Sequence, residues 1–342
     1  MTYKVSSTEK LRKAGSDGET KALLYLMNYY DDCSQIYYFV VDFFNDVTGM
    51  DKSARTLWDV QSKAVSNSSP KMIGRELVTL YKNYVSELNF KEYIIFLGSV
   101  SNSFRKDSKK TVFDYTNIKE TAFERMKNGL IEECYKKEYI YDSDIVEEKI
   151  NSFLQMVWFV IDDKRPEDYI RKIIENHPAI IPSDHELLAI FNEIRNKQSE
   201  KKNSLVEGEE INTADEVLAY GRHLTATEVT LLVFQRVINI DPLSSGIPQP
   251  FFEIYSNYPV ETAKDMLDEC KRSLCRALFN NSASQGFWAL CEKIHLLISK
   301  YSDMSLDGIY SKIDSNLIDS CPDFDALSIK YFIAMIKEGM QK

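Results

Sequence analysis

The sequence is poor in the residues that mark fibrous, low-complexity or disulfide-stabilised proteins. Of its 342 residues, 12 are Gly and 9 are Pro, which excludes collagen-like and low-complexity structure. Its six Cys form no CxxC pair, so a zinc ribbon is not expected, and a chain of this length does not need a disulfide framework. We therefore predict a globular protein of about two domains in a reducing, cytoplasmic compartment.

Long hydrophobic runs are also missing. The run from Ile36 to Val41 ends at Asp42, far short of the roughly 20 apolar residues that a membrane-spanning helix needs. The first 13 residues contain no apolar core, so we expect no secretory signal. The patterns GxxxxGK[ST], GxSxG and HExxH do not occur. These absences argue against a membrane protein, an ATP-driven motor, a serine hydrolase and a zinc protease of those types.

Negatively charged residues outnumber positively charged ones overall, and an excess of positive charge is found in one segment. The formal net charge of −10 argues against a general electrostatic coat for nucleic acid. Residues 51–110 are the exception, with eleven Lys and Arg against six Asp and Glu. If the chain binds a polyanion, this segment is the expected contact, and a solvated basic face is the alternative.

Helix and strand patterns are mixed in the first part of the chain. Ser16 and Glu19 have the spacing of a capping box, which predicts a helix start. Residues 36–48 are β-branched and aromatic, as in a strand, and residues 56–63 alternate as in a second strand. Ser69 followed by Pro70 predicts the start of another helix. The predicted order is a helix from Ser16, strands at 36–48 and 56–63, a helix at 70–88 and a strand at 93–100.

The remainder of the chain has almost only helical patterns. After a basic loop at 101–110, helices are predicted at 119–138, 144–161, 166–176 and 184–198 and, after a polar linker at 199–210, at 214–223, 226–239, 260–279, 285–301, 305–318 and 323–338. The spacings vary, so a repeat solenoid is not expected. We predict an α/β domain at residues 1–200 and an α-helical domain for oligomerisation or partner binding at 211–342.

Three polar residues form the centre of a candidate site. Gln61 and Lys63 are two residues apart on one predicted strand, so their side chains point the same way. A hairpin through Gly49 would bring Asp46 beside Gln61. A carboxylate, an amide oxygen and an ammonium then converge at a strand end, where the two oxygen groups can hold a divalent cation such as Mg²⁺ or Mn²⁺. Such a cation lowers the pKa of a bound water for attack on a phosphate.

Three further carboxylates compete for places in this site. Glu19 would add a ligand from the first helix, or is only a capping residue. Asp59 lies on the same strand face as Gln61 and would compensate for the weaker amide ligand. Asp42 competes with Asp46 for the acidic role, because both lie on one face of an unbent strand.

This pattern resembles the PD-(D/E)xK nuclease superfamily, in the variant in which Gln replaces the acidic residue of the second half-motif. Residues 42–63, which contain NDVTG and WDVQSK, are similar to the endonuclease domain of the CD-NTase-associated (CBASS) DNA-degrading effectors of bacterial anti-phage systems. The nuclease subunit of Lamassu defence systems is also similar. The resemblance covers roughly residues 10–105, or extends through the helices to about residue 198, and implies an α/β restriction-endonuclease-like domain followed by an α-helical region.

The resemblance also implies a function. It implies a DNA endonuclease in which Mg²⁺ is held by Asp46 and Gln61, with Glu19 or Asp59, while Lys63 stabilises the developing charge. The expected contacts to double-stranded DNA are Lys71, Arg75, Arg105, Lys106, Lys109 and Lys110. By analogy, activity would be controlled by an SMC-type ATPase complex of the Lamassu kind or by homo-oligomerisation. A non-catalytic scaffold that keeps a nuclease fold and an RNA-cleaving nuclease are the alternatives.

One C-terminal segment differs from its helical surroundings. Residues 247–258 (IPQPFFEIYSNY) contain two Pro that no helix can continue through. Aromatic residues are enriched at binding hot spots. We therefore predict that an exposed anchor for a second copy or a partner is formed by Phe251, Phe252 and Tyr255.

Overall fold

The structure is a computed structural model that describes residues 3–5, 13–180, 182–203 and 206–342. Two compact units divide the chain. The first contains Met1–Arg165 and Glu193–Ala226 and is built around a β-sheet, and the second contains Pro166–Asn192 and Thr227–Lys342 and is helical. An α/β N-terminal region followed by a largely helical C-terminal region is therefore confirmed at that level.

The described part of the first unit contains nine strands, and seven of them form one mixed sheet. The strands are β1 (Tyr3–Lys4), β2 (Ile36–Val41), β3 (Val47–Asp51), β4 (Leu57–Lys63), β5 (Phe90–Leu97), β6 (Val112–Phe113), β7 (Val157–Ile161), β8 (Glu210–Ile211) and β9 (His223–Thr225). The sheet has the order β6-β7-β5-β4-β3-β2-β9, and β1 pairs with β8 separately. Strands β4, β5 and β7 are parallel, whereas the other pairs are antiparallel.

Helices cover the sheet and make up the second unit. They are α1 (Lys13–Asn28), α2 (Pro70–Glu76), α3 (Val78–Tyr84), α4 (Glu120–Cys134), α5 (Glu147–Met156), α6 (Pro166–Ile173), α7 (Asp184–Glu200), α8 (Ala226–Ile238), α9 (Phe252–Tyr255), α10 (Val260–Phe279), α11 (Ser284–Lys300), α12 (Leu306–Tyr310), α13 (Ser315–Asp319) and α14 (Ala326–Gly339). In the described part of the chain, no helix combines the length and the apolar character that a membrane crossing requires.

Strand β4 lies between two helical layers. A parallel sheet must bury both of its faces, and all of β4 except Lys63 is buried. On one face, α1 approaches so closely that a Cβ at Gly18 would lie 2.9 Å from Ser62 Oγ. On the other face, Thr79 of α3 contacts Gln61. The alternation of the strand therefore directs Gln61 towards α3 and Ser62 towards α1.

Helices α2 and α4 cross at two glycines. A Cβ at Gly74 would lie 1.9 Å from the carbonyl oxygen of Met126, and one at Gly129 would lie 2.3 Å from that of Lys71. Neither helix has room for a side chain at this crossing, so both positions require Gly. The crossing holds the C-terminal end of α4 close to α2.

The predicted order of a helix, strands, a helix and a strand is present in the first unit. Ser69 caps α2 as predicted, because its Oγ accepts the Met72 N–H at 3.4 Å. The capping role of Ser16 is wrong, because α1 begins at Lys13 and Ser16 lies inside the helix. The hairpin exists, but Gly49 lies within β3 opposite Trp58 and the chain turns later, between β3 and β4.

The prediction of almost only helices after residue 110 is wrong for four strands. The helix predicted at 144–161 ends at Met156, and the apolar run of β7 continues the parallel sheet beside β5. The helix predicted at 214–223 ends before His223, where β9 joins β2 at the sheet edge. A short apolar run does not show by periodicity whether it is a strand or a helix. The units therefore interleave along the chain, and β9 belongs to the sheet.

Candidate functional site

A cleft of about 270 Å³ opens where β4 ends and the Asp42–Asp46 loop enters β3. In open α/β sheets, ligands bind beyond the carboxyl ends of the parallel strands, and Lys63 is such an end. The cleft is lined by acidic, basic and amide side chains on one wall of the sheet unit. They are Asp42, Asn45, Asp46, Gln61, Lys63, Arg75, Glu76, Glu133 and Lys137, with Thr79 and Tyr139 beside them.

Asp46 and Gln61 meet in this cleft. Because Val47 pairs with Val60 in the antiparallel β3–β4 ladder, the next pair along would be Asp46 and Gln61. The Asp46 carboxylate Oδ2 accepts a hydrogen bond from Gln61 Nε2 at 2.8 Å and from the Ser62 backbone N–H at 2.7 Å. The structure thus brings together the two residues that the sequence analysis placed on a common cation.

The Gln61 amide uses both of its ends. While Nε2 donates to Asp46, Oε1 accepts from Thr79 Oγ1 at 2.7 Å. A hydroxyl both donates and accepts, so rotating the amide by 180° would leave Thr79 with a partner and turn the Gln61 oxygen towards Asp46. The Gln61 side chain can therefore either donate to the Asp46 carboxylate or place its own oxygen beside that carboxylate as a second ligand for a cation.

Lys63 lies beside a carboxylate that the sequence analysis missed. Its Nζ is 3.3 Å from Glu76 Oε2, and its side chain is mostly buried. Glu76, Thr79 and Asn83 follow one another at spacings of three and four residues, which is the helical signal that could have identified this wall of the site. The break between α2 and α3 at Leu77 weakens that signal.

Asp59 is on the predicted face of β4 but lies below the cleft. It is fully buried and accepts hydrogen bonds from Asn83 Nδ2 at 2.5 Å, Thr48 Oγ1 at 3.0 Å and Asn45 Nδ2 at 3.5 Å. Burial raises the pKa of Asp59 to about 7, and these hydrogen bonds act in the opposite direction. Burial also lowers the pKa of the nearby Lys82 to about 8. Asp59 is not among the residues that line the cleft.

The remaining carboxylates take different places. Glu19 lies in α1, on the helix that packs against the Ser62 face of β4, and its carboxylate accepts from Lys202 Nζ. Asp42 lines the cleft, but the buried Arg222 binds its carbonyl oxygen and lies 3.5 Å from its carboxylate. Between the two candidate acids of this segment, Asp46 is therefore the one that contacts Gln61.

The donor set suits Mg²⁺ better than a transition metal. Among the described residues, no group of three or more His, Cys, Asp and Glu side chains is arranged to hold a metal ion. Asp46 and Gln61 would offer one carboxylate and one amide oxygen. Mg²⁺ commonly uses one or two carboxylates, keeps several waters and takes further oxygens from substrate phosphates. A site with a single carboxylate therefore suits a cation whose remaining ligands are waters and phosphate oxygens.

Of the six predicted DNA contacts, the structure places Arg75 in the cleft lining. Lys71 and Arg75 both pair with the exposed Glu132. The basic segment at 101–110 is a loop, as predicted. Arg105 donates a hydrogen bond to the Lys110 carbonyl, and Lys106 donates one to the Thr116 carbonyl. Exposed basic side chains on this loop are Lys106, Lys109 and Lys110. Lys137, a cleft residue, was missed by the sequence analysis.

In the helical unit, the predicted aromatic anchor is only partly exposed. Phe251 is fully buried and packs edge-on against Tyr331 at 5.3 Å between ring centroids, so its prediction as an exposed residue is wrong. No α-helix runs through Pro248 or Pro250, and Pro250 lies in a short 3-10 helix, Gln249–Phe251, that ends at the buried Phe251. Phe252 is half exposed and lies 6.1 Å from the Tyr255 ring.

Comparisons of the chain with protein-family models, with curated proteins and with solved structures found no match.

Asp59 should make the stability of the protein depend on pH. Its pKa is raised from 3.8 to about 7 on folding, so between these values the folded protein keeps a proton that the unfolded chain has released. The contribution of Asp59 to the free energy of unfolding should therefore fall as pH rises from about 4 to 7, by at most about 4 kcal/mol. Denaturant unfolding of wild type and Asp59→Asn across this range measures it, because Asn does not titrate. A stability difference that stays constant with pH would contradict this expectation.

Proposed function

We propose that the cleft is the catalytic site of a metal-dependent DNA endonuclease that hydrolyses phosphodiester bonds with little sequence specificity. The observation that carries this proposal is the 2.8 Å contact between the Asp46 carboxylate and the Gln61 amide, with Lys63 in the same cleft. The element order α1-β2-β3-β4-α2-α3-β5 supports a restriction-endonuclease-like core. The same features support a defence effector related to the CBASS and Lamassu nucleases that the sequence resembles.

Each cleft residue has a role in this reaction. A bound Mg²⁺ or Mn²⁺ would polarise the phosphate and lower the pKa of a bound water. The Asp46 carboxylate, oriented by the Ser62 N–H, and the Gln61 oxygen, supported by Thr79, would hold that cation. The Lys63 ammonium would stabilise the charge that develops on the phosphate oxygens, and Glu76 holds this ammonium at the cleft wall.

The single carboxylate has a consequence for control. A cation held by Asp46 and one neutral amide gains less electrostatic stabilisation than a cation between two carboxylates. The phosphate of a bound nucleic acid would supply the missing negative charge. The cation and DNA should therefore bind cooperatively, and the enzyme should be poorly loaded with metal when DNA is absent.

Surface charge supports a nucleic acid substrate. Arg75 and Lys137 line the cleft, and the basic loop adds three exposed lysines within the same unit. Contacts from Lys and Arg to phosphate give affinity and position without reading sequence.

A non-catalytic scaffold is the second candidate. The observation that favours it is that the described residues contain no cluster of three potential metal ligands of the His, Cys, Asp or Glu type. Under that interpretation the Gln61–Asp46 hydrogen bond would be a structural contact that replaced a lost metal site. The two candidates differ in whether DNA is cleaved.

Lys63→Ala and Asp46→Ala should each reduce cleavage of supercoiled plasmid in Mg²⁺ by at least about 100-fold, because each removes a charge that acts in the transition state. Lys149→Ala is the matched control, since it removes a half-exposed lysine from a surface ion pair away from the cleft. Circular dichroism should show that all three variants are folded. Undiminished cleavage by both cleft variants would contradict the assignment, and a wild type inert on both DNA and RNA would favour the scaffold.

The same assay examines the basic loop and the substrate class. Lys109→Glu combined with Lys110→Glu should raise the KM for DNA with little change in kcat, because phosphate contacts contribute to binding rather than to the chemical step. Reversing the exposed Lys264 and Arg272 of the helical unit is the control. Faster cleavage of RNA than of DNA would assign the alternative substrate.

We also propose that the helical unit holds the chain to a second copy or to an SMC-type ATPase subunit. Exposed apolar side chains near α9 and the start of α10 support this, namely Phe252, Tyr258 and Val260, the last being 78% exposed. Contiguous exposed apolar residues are typical of interaction sites. The partner class follows from the resemblance of the nuclease region.

Phe252→Asp combined with Val260→Asp should therefore lower the oligomeric state or abolish capture of the ATPase subunit. Light scattering and affinity capture of the full-length chain measure this, with the equally exposed Leu243→Asp as control. A deletion of residues 211–342 is unsuitable, because it would remove β9 from the sheet. Unchanged assembly in the double variant would exclude this surface.

A further inference from the structure

Below the cleft lies a network of buried polar side chains that the proposed chemistry does not use. Its centre is Asp59, which is 0% exposed. Thr48, its direct cross-strand neighbour, donates to Oδ1 at 3.0 Å, and Asn83 donates to Oδ2 at 2.5 Å. Asn45 Nδ2 approaches the same Oδ2 at 3.5 Å. The carboxylate thus accepts from a strand, a loop and a helix at once.

Two of these contacts continue into the loop that carries Asp46. Asn45 accepts the Asp46 backbone N–H through its Oδ1 at 3.2 Å. Asn83 Nδ2 also lies 3.4 Å from the carbonyl oxygen of Phe44. Asp59 is therefore linked, through one side chain in each case, to backbone groups on both sides of Asn45.

Helix α3 joins this network to the cleft. Thr79 and Asn83 lie one turn apart on the helix, and they bond to Gln61 and Asp59, respectively. The Oδ1 of Asn83 accepts from Tyr3 Oη at 2.8 Å, so both ends of its amide are engaged. Rotating this amide would place its oxygen against the Asp59 carboxylate and the Phe44 carbonyl, which only accept, so the orientation of Asn83 is fixed. The helix therefore holds the two β4 side chains in a constant relation.

The cost of burying this carboxylate needs a reason. In the described part of the chain, no Lys or Arg is hydrogen-bonded to Asp59. Lys82 is the nearby cation, and its Nζ donates to the Lys4 carbonyl. Burial and the nearby charge of Asp59 raise the pKa of Tyr3 and Tyr93. Well-packed apolar residues in place of a buried charge are often as stable or more so.

We infer that Asp59 is a positioning residue that acts through Asn45 and Asn83 and holds the Asp42–Asp46 loop so that the Asp46 carboxylate faces Gln61. This inference rests on the proposed role of Asp46 as the carboxylate ligand of the site. It replaces the direct ligand role that the strand pattern indicated for Asp59. A positioning residue orients the ligand and touches neither the cation nor the substrate.

Three variants separate positioning from ligation. Asn45→Ala breaks the link to the Asp46 N–H while Asp59 keeps Thr48 and Asn83, so the fold should survive. Asp59→Ala removes the centre of the network. Asp59→Asn keeps one oxygen that can accept from both Asn45 and Asn83, with its NH₂ turned to the Thr48 hydroxyl. Thr20→Val is the matched control, because it removes a buried hydrogen bond to Gln198 elsewhere in the unit.

Two readouts are measured on the full-length protein. The first is the amide resonance of Ser62 in metal-free protein, since this N–H donates to Asp46. The second is the affinity for Mn²⁺ by electron paramagnetic resonance with a short, non-cleavable DNA duplex present, because the cation and DNA are expected to bind cooperatively. Asn45→Ala and Asp59→Ala should shift the Ser62 resonance upfield and weaken Mn²⁺ binding by about 10- to 100-fold, as for other residues that orient metal ligands. The Mn²⁺ affinities of Asp59→Asn and Thr20→Val should stay within about threefold of the wild-type affinity.

The outcomes distinguish the inference from the proposed function. An unchanged Ser62 resonance in Asn45→Ala would overturn the positioning role, regardless of the Mn²⁺ affinity of that variant. Asp59→Asn as defective as Asp59→Ala would also overturn it, because the charge itself would then be required. If the variants shift the Ser62 resonance but the wild type binds no Mn²⁺, the result would support the positioning of Asp46 and reject the metal site. Should Asp59→Ala fail to fold, Asn45→Ala carries the test.

Discussion

The site depends on the antiparallel register between β3 and β4. Val47 opposite Val60 brings Asp46 to the end of β4 beside Gln61, and the same ladder sets Thr48 directly opposite Asp59. A slip of one residue would turn every side chain of β4 to the other face of the sheet. Asp46 would then lose Gln61, and the Asp59 carboxylate would face α1. The buried apolar residues of β4, among them Leu57 and Val60, stabilise the observed register.

Helices α2 and α3 form the second wall of the site and convert this register into a chemical arrangement. Glu76, Thr79 and Asn83 bond to Lys63, Gln61 and Asp59, respectively, so three successive positions on one strand face each have a helical partner. The glycine crossing between α2 and α4 holds this wall in place and brings Glu133 and Lys137 to the cleft. The result is a compact site in which the amide, the ammonium and the carboxylate are each held by a neighbour.

Local pattern was enough to predict part of this arrangement. The alternation of β4 and the expected hairpin predicted that Asp46 would meet Gln61, although the turn follows β3 and does not lie at Gly49. The cap at Ser69 predicted α2. The pattern did not show that Asp59 would be buried below Gln61, because depth along a strand depends on what covers it. Glu76 lies in α2 and Lys137 follows the end of α4, so their places at the cleft depend on tertiary packing. β7 is an apolar run whose strand character depends on pairing with β5. Phe251 was misjudged because exposure also follows from packing.

The central claim is that Asp46 and Gln61 share a divalent cation. Its most direct test is a crystal structure of the full-length protein with Mn²⁺ and a short DNA duplex, with diffraction collected at the manganese absorption edge. The account predicts an anomalous peak within about 2.3 Å of an Asp46 carboxylate oxygen, with the Gln61 amide rotated so that its oxygen faces the peak. An Asp46–Gln61 hydrogen bond that persists with Mn²⁺ at saturating concentration, and no peak in the cleft, would contradict it.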